Sequence, residues 1–172
     1  MALVIDATQG GANSNSYITL ADANTYFEAR LHVTVWTDSD EDTKNRALVM
    51  ATKRINQEVF YGDRETATQA LAFPRINLGY LDGVYLDSTI PEMLKEAQCE
   101  LALHLLSTDM SKPSVDTSNL QEVQVGSLKA KYIVDKNDNV SQSYDTLPPF
   151  VLSLLQDLSR TVNSGGVVMV GR

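Results

Sequence analysis

Hydrophobic positions recur along most of this chain with the period of a helix. In "YITLADANTYFEARL", Leu20, Ala23, Phe27 and Leu31 fall at i, i+3, i+7 and i+11, one face of a helix. Thr19 with Asp22 three residues later forms a capping box at its start. "TDSDEDTKNRALVMATKRINQEVF" opens with acids and continues with bases, the order a helix macrodipole favours. Ser39 or Asp38 is the expected cap, and Leu48, Ala51, Ile55 and Val59 the inner stripe. Between these helices "HVTVW" reads as a β-branched connector ending on Trp36, a core anchor. "TATQALAF" predicts about two helical turns before Pro74, followed by loop with turns at Gly79 and Gly83.

"IPEMLKEAQCELALHLL" is the strongest helix, with Pro91 in its first turn and Met93, Leu94, Ala97, Leu101 and Leu105 within ~120° of arc. It carries the one cysteine, Cys99, and one of two histidines, His104. Five residues place them about 140° apart around the axis, so they diverge and do not make a nucleophile and base. Both read as core positions. "STDMSKPSVDTSNLQ", Ser107 to Gln121, is aperiodic linker or long loop, after which "EVQVGSLKAKYIV" alternates twice with a parity shift at Gly126 and Ser127, a bulged strand or a hairpin. "LPPFVLSLLQDLSRT" predicts a last helix with Val151, Leu154, Leu155 and Leu158 inward.

The pattern predicts a mainly α fold, a small helical bundle with an inserted β-hairpin or short sheet. Residues 1–110 form the bundle core, 111–147 the linker and β insertion, and 148–160 the helix that completes the bundle. Residues 161–172 form a tail that ends in the apolar run Val167, Val168, Met169 and Val170. That run is a candidate strand, paired in its own sheet or with a neighbouring subunit or partner.

Composition narrows the class. A hydrophobic share of 43% beside 21% charged residues belongs to an ordinary soluble globular protein. One cysteine leaves no internal disulfide framework and suits a reducing cytosol. The first residues lack the basic region of a signal peptide, and no stretch approaches the ~18 apolar residues of a membrane span. The formal net charge of -8 is uneven: residues 1–110 hold 16 acids and 8 bases, and residues 111–172 hold 6 of each. A grip on a polyanion therefore needs a local patch.

Chemistry-bearing motifs are sparse. The glycine pairs at Gly10 and Gly165 lack the spacing and following helix of a phosphate loop, and "DSDED" lacks the glycine and distal glutamate of a calcium loop. No nucleophile elbow appears, so an enzyme, a metal centre and a cofactor are not expected. For nucleic acid, "SLKAKY" offers Lys129, Lys131 and Tyr132, although strand alternation turns the lysines away from the tyrosine.

Several stretches in order, "ANSNSYITLADANTYFEARL", "ALAFPR", "IPEMLKEAQCELALHLL", "VGSLKAKY" and "LPPFVLSLL", resemble the tailed-phage head-to-tail connector or adaptor proteins. That family is often described as DnaT-like single-stranded DNA-binding protein. The resemblance spans Ala12 to Leu158 and implies a structural virion protein, assembled in the host cytoplasm as a ring of about twelve copies. Its partners would be the portal, a tail or stopper protein, and genomic double-stranded DNA passing through the lumen without specific binding. It supplies no catalytic residues. The alternative expectation is a replication accessory that binds single-stranded DNA through Lys129, Lys131 and Tyr132.

Overall fold

The structure, a computed structural model, describes residues 3–78, 80–81, 84–108, 120–125, 128–133 and 147–160, with side chains for 3–78, 86–108 and 147–160. The chain divides into two compact units, Met1–Thr108 with Leu147–Arg172, and Asp109–Thr146. The first contains the helices α1 (Leu20–Glu28), α2 (Thr34–Thr37), α3 (Glu41–Ile55), α4 (Glu92–Ser107) and α5 (Pro149–Leu155). It also contains two short antiparallel pairs, β1 (Asp63–Arg64) with β2 (Arg75–Ile76) and β3 (Tyr80–Leu81) with β4 (Val84–Tyr85). The second unit holds one antiparallel hairpin, β5 (Leu120–Val125) with β6 (Leu128–Ile133). The fold is mainly helical with small sheets, as the hydrophobic pattern predicts.

Helix α4 is the centre of the first unit and packs against α1, α2, α3 and α5. Its Leu94, Ala97 and Leu101 meet Leu48, Ala51 and Ile55 of α3 and Val151 and Leu155 of α5 in a fully buried core. Burial of each large aliphatic side chain contributes roughly 1.5–3 kcal/mol. One polar residue sits among them. Gln98 is completely buried; its Oε1 accepts from Tyr17 N at 3.0 Å, and its Nε2 donates to Ser16 Oγ at 2.7 Å and Leu48 O at 3.1 Å. It ties the amino-terminal segment, α3 and α4 together without an unpaired atom.

Thr19 caps α1, its Oγ1 accepting from Asp22 N at 3.1 Å, while the Asp22 carboxylate accepts from the Thr19 hydroxyl at 2.7 Å in place of the backbone N–H of a full capping box. Trp36 is buried, as expected, and its Nε1 donates to Asn24 Oδ1 at 3.0 Å. Other expectations are corrected. Leu31 is 74% exposed because α1 ends at Glu28 and the chain reverses at His32, whose φ is 60°. "HVTVW" contains the helical turn α2. Asp40, not Ser39 or Asp38, caps α3 by accepting from Thr43 N at 2.7 Å. Val59 lies beyond the end of α3 and is 57% exposed.

The two helical turns expected in "TATQALAF" are absent. Gln69 satisfies the local backbone instead, accepting from Thr66 N at 2.9 Å and donating to Leu71 O and Pro74 O, each at 2.9 Å. Ala70 N is drawn to Gly11 O at 3.1 Å. A buried side-chain amide here offers the backbone an alternative to helical bonding.

Candidate nucleic-acid interface

Beyond α3 the chain runs extended through Val59, Phe60 and Tyr61. Phe60 is the inward residue, packed edge-on against Phe73 at 5.0 Å, while Val59 and Tyr61 face outward and remain about half exposed. This out-in-out order is strand alternation over three residues. An antiparallel bridge between Phe60 and Ser159 holds it to the segment after α5, with Tyr61 N donating to Leu158 O at 2.9 Å and Arg160 N to Val59 O at 2.8 Å. The bridge sets the Arg160 guanidinium over the Tyr61 ring, 5.4 Å from its centroid.

Gly62 then turns the chain into β1. Its φ is 67°, and a Cβ added there would collide with Ile76 O, so conformation and space both require glycine. The register of the β1–β2 pair sets Arg64 opposite Arg75 and Asp63 opposite Ile76. Like charges directly opposite in a ladder are destabilising. Arg75 is held by carbonyls: Nε donates to Tyr61 O at 2.6 Å, one terminal nitrogen to Gly62 O at 2.5 Å and the other to Ala72 O at 3.2 Å. Its guanidinium also lies over the buried Phe73 ring at 5.9 Å. Burial lowers the Arg75 pKa, and the charges of Arg64 and Arg160 act in the same direction against Asp63.

The distribution of ion pairs separates this region from the rest. Of the six arginines at described positions, Arg30, Arg46 and Arg54 pair with Glu100, Asp42 and Glu58. Arg64, Arg75 and Arg160 make no ion pair among the described residues, and they are the three that gather around Tyr61. Two exposed acids, Asp63 and Glu65, flank Arg64, and Asp63 accepts from Asn77 Nδ2 at 3.1 Å. The arrangement sets three arginines outside ion pairs beside an exposed aromatic ring, the two components by which proteins hold single-stranded nucleic acid.

Sequence reasoning missed these residues. "YGDR", "AFPR" and "DLSR" are unremarkable alone, and no local window joins Tyr61 to Arg160. The lysine patch of the alternative expectation lies in the second unit, where β6 carries Lys129, Lys131 and Tyr132. The register sets Lys131 opposite Glu122 and Lys129 opposite Gln124, so an acid shares the ladder position of one lysine. Val167, Val168, Met169 and Val170 lie outside the described residues.

Cys99 is fully buried, and burial, with the nearby charges of Glu100, Glu92 and Glu96, pushes its thiol up to about 12. It is no nucleophile. His104 is half-buried and meets Phe150 edge-on at 5.8 Å. Among the described residues no group of three His, Cys, Asp or Glu side chains could hold a metal ion. A cavity of about 620 Å³ near α1 and α4 is edged by Asp22, Glu92 and Glu96, a poor setting for a phosphate backbone.

A family model described as "Putative DnaT-like ssDNA binding protein" matches residues 1–172. The chain belongs to this family. No curated protein and no solved structure matches it. Membership in the DnaT-like family corrects the expected adaptor role: the match speaks for single-stranded DNA, and nothing in it speaks for a head-to-tail connector. The ring, portal and tail partners expected with that role rested on the same resemblance. The charge argument behind the expectation also changes. Counting acids and bases along the helical portion hid the fact that folding neutralises half of the described arginines and leaves the other half together.

Proposed function

We propose that this protein binds single-stranded DNA as an accessory to DNA metabolism, through the arginine patch around Tyr61. The observation that carries the reading is the grouping of three arginines in no ion pair among the described residues: Arg160 over the exposed Tyr61 ring, Arg75 on the Tyr61 carbonyl, and Arg64 opposite Arg75 in the ladder. The family description supports the same ligand.

The net charge of -8 opposes a polyanion at a distance. At physiological ionic strength the Debye length is about 8 Å, so the distant acids are screened while arginines in contact with phosphates are not. Local contacts therefore decide the outcome, and long-range repulsion slows association.

Fluorescence anisotropy of a labelled oligothymidylate against the full chain tests the proposal. Binding should weaken as salt rises, at a logarithmic slope of about -0.7 for each phosphate of the single strand that the arginines neutralise. Arg64→Glu with Arg160→Glu should lower the affinity at least tenfold, whereas Lys129→Glu with Lys131→Glu should lower it far less. Absence of binding at both low and physiological salt would refute the reading. Loss in the lysine variant alone, with the arginine variant binding as the parent does, would move the interface to the second unit.

A further inference from the structure

Resting on the single-stranded DNA reading, we infer that Tyr61 is the stacking platform for one unpaired base, backed by Arg160, and that Arg64 and Arg75 hold the adjoining phosphate. The ring is 45% exposed, and one cation already lies over it. A base laid on accessible ring surface continues an Arg160–Tyr61–base stack, and base–aromatic stacking tolerates any sequence because every base has a π-face. A base paired within a duplex has both faces covered by its neighbours, so this position selects for unpaired strands.

The phosphate half follows from Arg75. A guanidinium has five N–H donors, and three of them are committed to Tyr61 O, Gly62 O and Ala72 O. The carbonyls fix the side chain without neutralising it, and two donors are left. An anion seated between Arg75 and Arg64 also relieves the repulsion built into their register. Because Arg75 donates directly to the carbonyl of Tyr61 at 2.6 Å, the phosphate fork is fixed to the residue that carries the stacking ring. A prearranged fork loses little freedom on binding.

Fluorescence offers a direct test because Trp36 is the only tryptophan and is buried with its Nε1 bonded to Asn24. In a Tyr61→Trp variant, oligothymidylate should quench the new emission to saturation, and a duplex of equal length should leave it unchanged. Tyr61→Ala should weaken binding about 5- to 150-fold, the range of a lost stacked base. Tyr61→Phe should bind as the parent does. The ring lies outside the core, so circular dichroism of these variants should match the parent. Arg64→Gln should reduce the salt slope, by at most about 0.7, because Arg75 still faces the phosphate the two arginines share.

If anisotropy shows normal binding while the new emission of Tyr61→Trp does not move and Tyr61→Ala binds unchanged, the platform is disproved and the DNA reading stands with its contacts elsewhere. An unaltered slope in Arg64→Gln removes the phosphate assignment alone. Failure of every oligonucleotide to bind the parent chain refutes the DNA reading and this inference together.

Discussion

Gln98 and Arg75 each collect hydrogen bonds from distant segments, one at the centre of the first unit and the other at its edge. Gln98 joins Ser16, Tyr17 and Leu48, and Arg75 joins Tyr61, Gly62 and Ala72. The neutral amide is fully enclosed and its bonds are completed within the protein. The guanidinium is half-buried, keeps two free donors and retains its charge. A neutral fork with every partner internal is a fastener. A charged fork held only by carbonyls is a fastener that still has donors to offer, so a similar local geometry serves structure in one place and, on the reading proposed above, recognition in the other.

The comparison breaks most visibly at Gln98. Gln98→Ala should cost about 3–5 kcal/mol, because it strands Tyr17 N in the core and leaves a cavity, while Leu48 O keeps the Thr52 hydroxyl at 2.9 Å. Chemical denaturation measures the loss, and the molecules that remain folded should bind oligonucleotide with parental affinity. Gly62→Ala should cost about 2–3 kcal/mol, from the left-handed backbone and the clash with Ile76 O. Unlike Gln98→Ala it should also weaken oligonucleotide binding, because Gly62 O holds Arg75 and the turn places Tyr61. Parental affinity in folded Gly62→Ala would separate the turn from the site.

A smaller effect marks a third way of holding a charge. Glu100 accepts from Tyr26 Oη at 2.8 Å and from Arg30 Nε at 2.7 Å. Burial opposes its ionisation, but the bonds from Arg30 and Tyr26 outweigh burial and leave its pKa below the usual 4.5. A depressed folded pKa contributes stability that is complete above the unfolded value and is lost as pH falls through the folded one. Glu100→Gln should therefore destabilise the protein by about 1 kcal/mol at neutral pH, a figure kept low by the partial exposure of Arg30. The difference in Tm, roughly 2–4 °C, should close as the pH drops below about 4. A difference that persists in acid would mean the loss is packing, not charge.

The helical interior was legible in the sequence because its signals are local and periodic. Thr19 with Asp22, the stripe Leu48, Ala51 and Ile55, and the face Leu94, Ala97 and Leu101 all lie within single windows, and each occupies the place its spacing predicts. The same periodicity overran the helix ends. Leu31 and Val59 match the pattern, yet His32 reverses the chain, and Asn56 ends α3 with its side-chain oxygen engaged by Tyr17 Oη and Ala72 N. The candidate interface was illegible for the opposite reason. Arg64 and Arg75 meet through a register set by turn residues, and Arg160 arrives through a backbone bridge spanning about a hundred residues of sequence. Charge counting gives each arginine the same weight, whereas folding decides which ones find a carboxylate.

That backbone bridge also dictates when the binding surface exists during synthesis. Tyr61, Arg64 and Arg75 leave the ribosome early, but Arg160 and the α5 segment that carries it follow only after the whole second unit has been translated. A nascent chain paused before Leu147 has the ring and no guanidinium above it, so the proposed strand-binding surface is completed only when translation is nearly over.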